Sequence, residues 1–328
     1  TANFSVQAAF DWLGIDESDS VWMPSPVGHS TGFNYGVRFA LFHGLKLVLQ
    51  DAWNVADALA LLERERCTYT LAATTFLQDL VELATERGTR LPFVRAFGCG
   101  GAPVPEALVE AAGERGITVL RLYGATEFLV ATWNTAAATS AKRLATDGNA
   151  LDGVEVAIRD EAGRECDVGQ PGEVVVRGPN TCVGFFADPD RTIATFDEEG
   201  WCRSGDLGVL DRDGYLSIVG RKKDMIIRGG LNIAPREIED ALVAFPEVWQ
   251  AAIVGIPDDR LGERACACLV LRPGGSIDIG TLTSRLAELG FAKYKLPESV
   301  QVFDRFPMTA SGKVQKHELR KLVAGAHV

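Results

Sequence analysis

The sequence of 328 residues has no Cys-x-x-Cys pair and no cysteine–histidine cluster of zinc spacing. Its seven cysteines, at 67, 99, 166, 182, 202, 266 and 268, are odd in number. They read as free thiols of a reducing, cytoplasmic compartment rather than as a disulfide framework. No run of about 18 apolar residues occurs, so a membrane-spanning helix is not expected. The N-terminus has neither the basic and apolar pattern of a signal peptide nor an initiator Met, which fits a trimmed start. A basic excess is missing as well. The net charge of −11 argues against nucleic acid or an anionic membrane as the main partner. It leaves an anionic small molecule open, because a site needs only a few local cations. No internal repeat or low-complexity tract appears.

What is present is ordinary for a globular protein, with 47% hydrophobic and 23% charged residues. Residues 4–13, 33–43, 55–66, 76–87 and 105–115 read as helices, and residues 45–49, 69–73, 93–98 and 118–122 as strands. Residues 21–27 are apolar and extended, but Pro24 and Pro26 make them a poor central strand. This alternation predicts a mostly parallel α/β sheet. After residue 140 the texture changes to short alternating runs such as 154–158 and 173–177, with Gly, Pro and Asp between them, as in a small β-barrel or sandwich. Beyond the basic knot Arg221–Asp224 the chain predicts helices at 235–244, 278–289 and 316–323, and strands at 248–255, 265–271 and 299–303. That pattern suits a compact α+β module, and the domain boundary falls between Lys222 and Lys223.

Four motifs stand in order. They are Tyr123-Gly124-Ala125-Thr126-Glu127, Ser204-Gly205-Asp206-Leu207-Gly208, Gly220-Arg221-Lys222-Lys223-Asp224, and Pro307-Met308-Thr309-Ala310-Ser311-Gly312-Lys313. The first follows an apolar run and should lie at the C-terminal end of a strand, the edge at which open α/β sheets bind ligands. Gly124 allows close backbone approach, a Thr126 hydroxyl can donate to a phosphate oxygen, and a Glu127 carboxylate can hold Mg²⁺. The bland alternative is a strand-to-helix turn. Asp206 has acceptor sites for both hydroxyls of a ribose, or it is a turn carboxylate. Arg221 offers a rigid fork of donors. Gly229 and Gly230 suggest either the close passage of a ligand or backbone, or an ordinary tight turn. Lys313 precedes Lys316, His317, Arg320 and Lys321, which alone would read as a solvated helix face. Gly98-Cys99-Gly100-Gly101-Ala102-Pro103 fits a dinucleotide fingerprint poorly, since the third spaced glycine is missing and Pro103 and Pro105 interrupt the helix start. Gly28-His29-Ser30-Thr31-Gly32 matches the nucleophile elbow of serine hydrolases. The two prolines before it suit an elbow strand badly. His43 is too near Ser30, and of the later histidines, His317 and His327, the second is in the tail.

Together, in this order, the motifs resemble the adenylate-forming acyl-CoA ligases, from residue 20 to residue 322. The resemblance implies an α/β fold: the remainder of a large adenylate-forming domain over residues 1–222 (an α/β subdomain 1–140 and a β-barrel subdomain 141–222), then a small α+β C-terminal lid over 223–328. It implies that Tyr123 stacks on adenine, with Gly100, Gly101, Ala102 and Pro103 along the ring and Gly124, Ala125 and Ile218 also lining the nucleotide. Thr126 would contact the α-phosphate, Glu127 hold Mg²⁺, Asp206 bind the ribose and Arg221 lie near ribose and phosphate. Lys223 would be the hinge, and Gly229 and Gly230 a wall of the channel for the pantetheine of CoA. Lys313 would be the catalytic cation. Pro26-Val27-Gly28-His29 resembles a Pro-x-x-His segment, with His29, Phe33 and Cys99 bordering the acyl site and Thr74, Phe76 and Trp133 further pocket candidates.

The implied substrates are a carboxylic acid, ATP (leaving as AMP) and CoA. A carrier-protein pantetheine in place of CoA, a hydrolase on Ser30 and a module with no nucleotide binding are the alternatives. The family's Ser/Thr/Gly-rich phosphate loop has no counterpart in this sequence. The fragment alone is therefore expected not to turn over ATP, and homodimers through exposed apolar surface are expected.

Overall fold

A computed structural model describes residues 1–309 and 311–325; Ala310 of the fourth motif and the tail histidine His327 lie outside the described residues. The chain divides into a first unit, Thr1–Ile218, and a second that starts at Val219.

The first unit is built on a seven-stranded sheet. Its strands are β1 (Ser20–Met23), β2 (Lys46–Leu49), β3 (Tyr69–Ala72), β4 (Ala96–Gly100), β5 (Val119–Ala125), β6 (Leu129–Trp133) and β7 (Asn149–Ala150), in the order β2-β1-β3-β4-β5-β6-β7. β1 to β5 are parallel, while β6 is reversed and pairs antiparallel with both β5 and β7. The expectation that residues 21–27 make a poor central strand is overturned. β1 lies inside the sheet, and the prolines do no harm because the strand ends at Met23, one residue before Pro24. The strand expected at 93–98 starts three residues later, at Ala96, and the stretch expected to be one helix from 33 to 43 opens as a π-helix, Thr31–Arg38. Successive residues along each strand alternate between two cores: Val21, Leu71, Ala96 and Leu120 enter one, Trp22, Ala72, Phe97 and Val119 the other. The period of two in side-chain direction thus gives both faces an apolar lining. α1 (Ala2–Leu13) and α2 (Phe39–His43) pack on the first core, and α3 (Val55–Glu65), α4 (Thr74–Glu86), α5 (Glu106–Glu114) and α6 (Ser140–Ala145) on the second, with α7 (Pro189–Thr195) later in the chain.

At the N-terminal edge of the parallel strands one carboxylate ties three of them. Asp19, just before β1, accepts from Thr68 Oγ1 at 2.6 Å and Arg95 Nε at 2.8 Å, which precede β3 and β4. Burial pushes the Asp19 carboxyl up, but the hydrogen bonds from Arg95 and Thr68 outweigh it and hold it below its ordinary value. This staple leaves the opposite, C-terminal edge for loops and ligands.

The small β region is a four-stranded sheet, β8 (Glu155–Arg159), β9 (Gly172–Arg177), β10 (Cys202–Leu210) and β11 (Leu216–Arg221), in the order β11-β10-β9-β8. The second unit carries a hairpin of β12 (Ile226–Arg228) and β13 (Leu231–Ile233). Its centre is β15 (Gly262–Leu271), flanked by the antiparallel β14 (Val248–Asp258) and the parallel β16 (Ser299–Val302). α8 (Pro235–Val243) and α9 (Ile279–Glu288) share one core with Ile253 and Leu269. α10 (Lys316–Gly325) packs through Leu319 and Val323 on the other core, where Cys266 and Cys268 are buried. All seven cysteines are free thiols. Among the described residues no helix is long and apolar enough to cross a membrane.

Candidate active site

The first two motifs meet. Tyr123, on β5, donates its hydroxyl to Asp206 Oδ2 at 2.8 Å, although 83 residues separate them. Both are buried, at 7% and 5% exposure. Two local irregularities deliver these side chains. Between Tyr123 and Gly124 the β5–β6 register shifts, so that Ala131 is an extra residue on β6. Between Arg203 and Leu207 the β9–β10 register shifts as well, so that three residues of β10, Ser204 to Asp206, span one residue of β9. Bulges re-aim side chains in this way and recur beside active sites. The second is held open by Ser204, whose hydroxyl donates to Val174 C=O at 2.6 Å and accepts from Asp206 N–H at 3.0 Å, and by Glu173, which accepts from Gly205 N–H at 3.0 Å.

Thr126 and Glu127 occupy the tip of the β5–β6 hairpin, closed by Phe128 N–H to Ala125 C=O at 3.4 Å. The motif is followed by an antiparallel strand and not by a helix, so the strand-to-helix alternative is corrected. Leu129, which follows the turn, has φ 51°, a left-handed conformation that costs a bulky residue roughly 1–2 kcal/mol. Burial of its side chain, 8% exposed, and the amide of Asn180, which donates to Phe128 C=O at 2.7 Å and Val130 C=O at 3.3 Å, hold it there. The glycine at 124 has a reason independent of any ligand: a Cβ there would lie 2.1 Å from the carbonyl oxygen of Leu129. Ala125 is half-buried beside it, Thr126 is exposed, and Glu127 faces Arg191 at 3.8 Å. Among the described residues no group of three or more metal-ligating side chains exists. A lone carboxylate on a hairpin tip fits Mg²⁺, which takes one or two carboxylates and completes its shell with phosphate oxygens and water.

Gly100 ends β4, and Gly101, Ala102 and Pro103 form the turn that leaves it; Gly101 has φ 79°. Cys99 is wholly buried against Thr74, with Sγ to Oγ1 at 3.8 Å, and burial pushes its thiol up to about 12. Trp133, Phe76 and Thr74 are buried, while His29 is half-buried and Phe33 is 45% exposed with Arg38 5.4 Å from its ring. Ser30 has a right-handed helical backbone, φ −57° and ψ −35°, not the strained turn of a nucleophile elbow. His43 is engaged elsewhere, stacked on Phe10 at 4.0 Å.

Sequence reasoning passed over Arg121 and Asp147. Arg121 Nη2 and Asp147 Oδ1 form a buried ion pair at 2.9 Å, with both side chains no more than 6% exposed. Asp147 Oδ2 also accepts from Ile218 N–H at 2.9 Å. The signal was available: an arginine inside an apolar strand run needs a buried partner. Ile218, a nucleotide candidate, thus has its amide committed to this carboxylate.

In the second unit, Lys313 closes a short hairpin. Met308 pairs with Val314, Thr309 N–H donates to Lys313 C=O at 2.8 Å, and Lys313 N–H donates to Thr309 Oγ1 at 3.0 Å. Gly229 and Gly230, with φ 56° and 81°, are the two loop residues between β12 and β13. Two successive positive φ values are what a two-residue hairpin loop requires. Arg221 ends β11, and Lys223 lies exposed in the 3-10 turn Lys222–Asp224 that follows.

Residues 1–186 match the AMP-binding enzyme family, and residues 237–313 match the AMP-binding enzyme C-terminal domain. The chain is 41% identical over 310 residues to the medium-chain fatty-acid–CoA ligase of Escherichia coli, covering 94% of this chain and 55% of that protein. It is 34% identical to a feruloyl-CoA synthase of Amycolatopsis, covering 90% of this chain and 60% of that protein. The chain thus spans little more than half the length of these curated relatives. Among solved structures, ATP-bound MatB from Rhodopseudomonas palustris superposes with a TM-score of 0.92 at 30% identity, covering 100% of this chain and 64% of that one. The o-succinylbenzoate CoA synthetase of Bacillus subtilis, in complex with ATP and magnesium, superposes at 0.86 with 33% identity, covering 97% and 65%.

Proposed function

The chain belongs to the AMP-binding enzyme family, and from that premise we propose that it is part of an acyl-CoA ligase that joins a carboxylic acid to coenzyme A with cleavage of ATP. In the first half-reaction a carboxylate oxygen of the acid attacks the α-phosphorus of ATP, the bond to the β-phosphate oxygen breaks, and acyl-adenylate and pyrophosphate result. In the second, the thiolate of CoA attacks the acyl carbonyl carbon, and AMP leaves with the electrons of the C–O bond.

Asp206 takes the ribose hydroxyls, and Tyr123 orients it while offering its ring to adenine. Gly100 to Pro103, Gly124, Ala125 and Ile218 line the nucleotide, Thr126 donates to the α-phosphate, and Arg221 adds a cation. Glu127 holds Mg²⁺, which supplies charge neutralisation on the phosphates. Lys313 neutralises the charge that builds on the α-phosphate in the transition state. Lys223 is the pivot of the C-terminal unit, Gly229 and Gly230 border the path of pantetheine, and His29, Phe33 and Cys99 border the acyl group. Seven free thiols support a reducing cytoplasmic setting.

The observation that carries this reading is the 2.8 Å hydrogen bond between Tyr123 and Asp206, framed by two register shifts. Such an arrangement suits a bifunctional hydrogen-bonding ligand better than it suits sheet stability. Calorimetry with AMP tests it on this chain. Asp206→Ala should weaken AMP binding by about 10-fold or more, the worth of hydrogen bonds to a charged group, and Tyr123→Phe by less. Undiminished AMP binding by the alanine variant would remove Asp206 from the site.

A further inference from the structure

Arg191, the third residue of α7, brings its guanidinium to the hairpin tip that carries Thr126 and Glu127. Its Nη2 lies 3.8 Å from Glu127 Oε1, with the two side chains 59% and 27% exposed. That separation is an ion pair beyond hydrogen-bonding distance, so the carboxylate does not occupy the N–H donors of the guanidinium. An aromatic plate sets where the cation sits. The guanidinium carbon lies 3.8 Å from the centroid of the Phe185 ring. Arginine stacks on an aromatic face in this way and keeps its donors at the edge of the plane. Phe185 packs in turn near Phe196, 6.1 Å between ring centroids, whereas the adjacent Phe186 is fully exposed.

The segment that carries both side chains is tied to the tip and braced within itself. Cys182 N–H donates to Glu127 C=O at 2.7 Å, which joins the loop before α7 to the hairpin. Phe185 N–H donates to Thr192 Oγ1 at 2.9 Å, and Thr192 Oγ1 donates to Asp188 C=O at 2.8 Å. Asp188 Oδ1 accepts from Arg191 N–H at 3.0 Å. Phe185 and Arg191 are thus held face to face across a turn. That turn is strained, because Ala187 has φ 52°, in the left-handed region. Among the described residues three non-glycine residues have a positive φ. Two of them stand here: Leu129 follows the tip, and Ala187 shapes the segment docked on it. Strain of this kind persists only where the surroundings enforce it, and it clusters beside ligand sites. An exposed ion pair stabilises a fold very little, so stability alone does not account for this bracing.

We propose that Arg191 is a phosphate-binding residue of the nucleotide site, held on the Phe185 ring with Glu127 as its resting partner. The inference rests on the nucleotide reading of Thr126 and Glu127 for its ligand. A phosphate oxygen suits the donor fork of a guanidinium, and Thr126, assigned above to the α-phosphate, is the chain neighbour of Glu127. The chain carries a net charge of −11, so an anionic ligand needs local cations. Alone at the tip, the Glu127 carboxylate repels a phosphate. With Arg191 beside it the pair is neutral, and the guanidinium has donors for a second anion.

Calorimetry on the 328-residue chain in metal-free buffer, with AMP and adenosine as paired ligands, tests this. Arg191→Gln should weaken AMP binding by about five-fold, the worth of a hydrogen bond to a charged group reduced by solvent exposure. Adenosine, which lacks the phosphate, should bind Arg191→Gln as it binds the parent, and that binding also reports a folded site. Arg191→Lys keeps the charge without the planar fork and should retain part of the AMP preference. Phe185→Leu, which removes the plate and leaves the arginine, should lose part of it. Unchanged AMP binding in Arg191→Gln, or equal weakening of AMP and adenosine, would overturn the assignment. Asp206→Ala separates the two readings. If it weakens both ligands while Arg191→Gln alters neither, the nucleotide site stands and the phosphate role of Arg191 falls. A parent chain that binds neither ligand would sink both.

Discussion

Lys313 stands at the end of a turn that Thr309 closes twice, once through its N–H and once through its hydroxyl. The backbone of the lysine is therefore fixed locally. In the complete enzyme, Lys313→Ala should cut acyl-adenylate formation by about 10²–10³-fold, the usual loss when one transition-state charge partner is removed. Thioester formation from supplied acyl-adenylate should stay within a few-fold of the parent. Following pyrophosphate exchange and CoA-dependent AMP release separately checks this, and equal loss of both would deny Lys313 a role confined to the first step. Of the residues nominated from the sequence, Tyr123 and Asp206 come together because two register shifts aim them at each other. Cys99 is an interior thiol whose burial raises it far above neutrality. That depth was not legible from a Gly-Cys-Gly triplet, since small residues mark turns and cores alike.

At the scale of elements, the β12–β13 hairpin shows how turn chemistry can pass for a ligand signature. Gly230 has φ 81° with nothing near its missing Cβ, so a side chain there meets backbone strain and not crowding. Gly230→Val should destabilise the second unit by about 1–2 kcal/mol, and Gly230→Asn by less, because asparagine tolerates the left-handed region. If the channel assignment holds, Gly230→Asn should still impair the thioester step while leaving adenylation and the denaturation midpoint nearly unchanged. A second element-scale expectation concerns α1. His43 stacks on Phe10 of this helix and its Nε2 lies 3.3 Å from Val6 C=O. Burial lowers the His43 pKa, against the opposing pull of the Val6 carbonyl and Asp11. The neutral ring is thus the form that fits. Its contribution is fully present above the ordinary histidine range, near 6.5, and is lost as pH falls through the lowered folded value. Exchange of α1 amides, corrected for intrinsic rate, should therefore rise as pH falls from about 6.5 through that lowered value, and His43→Phe should abolish the rise. A pH-independent parent would exclude His43 as its source.

Across the whole molecule, each unit has its own pair of cores, and the Arg121–Asp147 pair lies wholly within the first. Arg121→Ala leaves a buried carboxylate without its cation, a loss of about 3–5 kcal/mol. Arg121→Met with Asp147→Leu should recover much of it. Urea unfolding followed by exchange should show the first unit shifted and the β14–β15 amides unmoved; equal shifts in both would mean that the units unfold as one. Much of this architecture was legible beforehand. The alternation of apolar runs foretold the parallel strands β3 and β5 and the helices between, and the order of four motifs foretold the family. The β6 strand, the β12–β13 hairpin and the interior place of β1 were not, because strand pairing is a long-range property that a local pattern of apolar residues does not encode. By itself the sequence determined which groups are available: a carboxylate, a phenol, a lysine and paired glycines, each in a recognisable local setting. Only the tertiary structure decided which of them meet. Residues 83 apart in sequence reach hydrogen-bonding distance through bulges in two different sheets, and Arg320, from a basic run that alone would read as a solvated helix face, pairs with Asp224, 96 residues away. Side-chain chemistry is a property of the residue, but proximity is a property of the folded backbone.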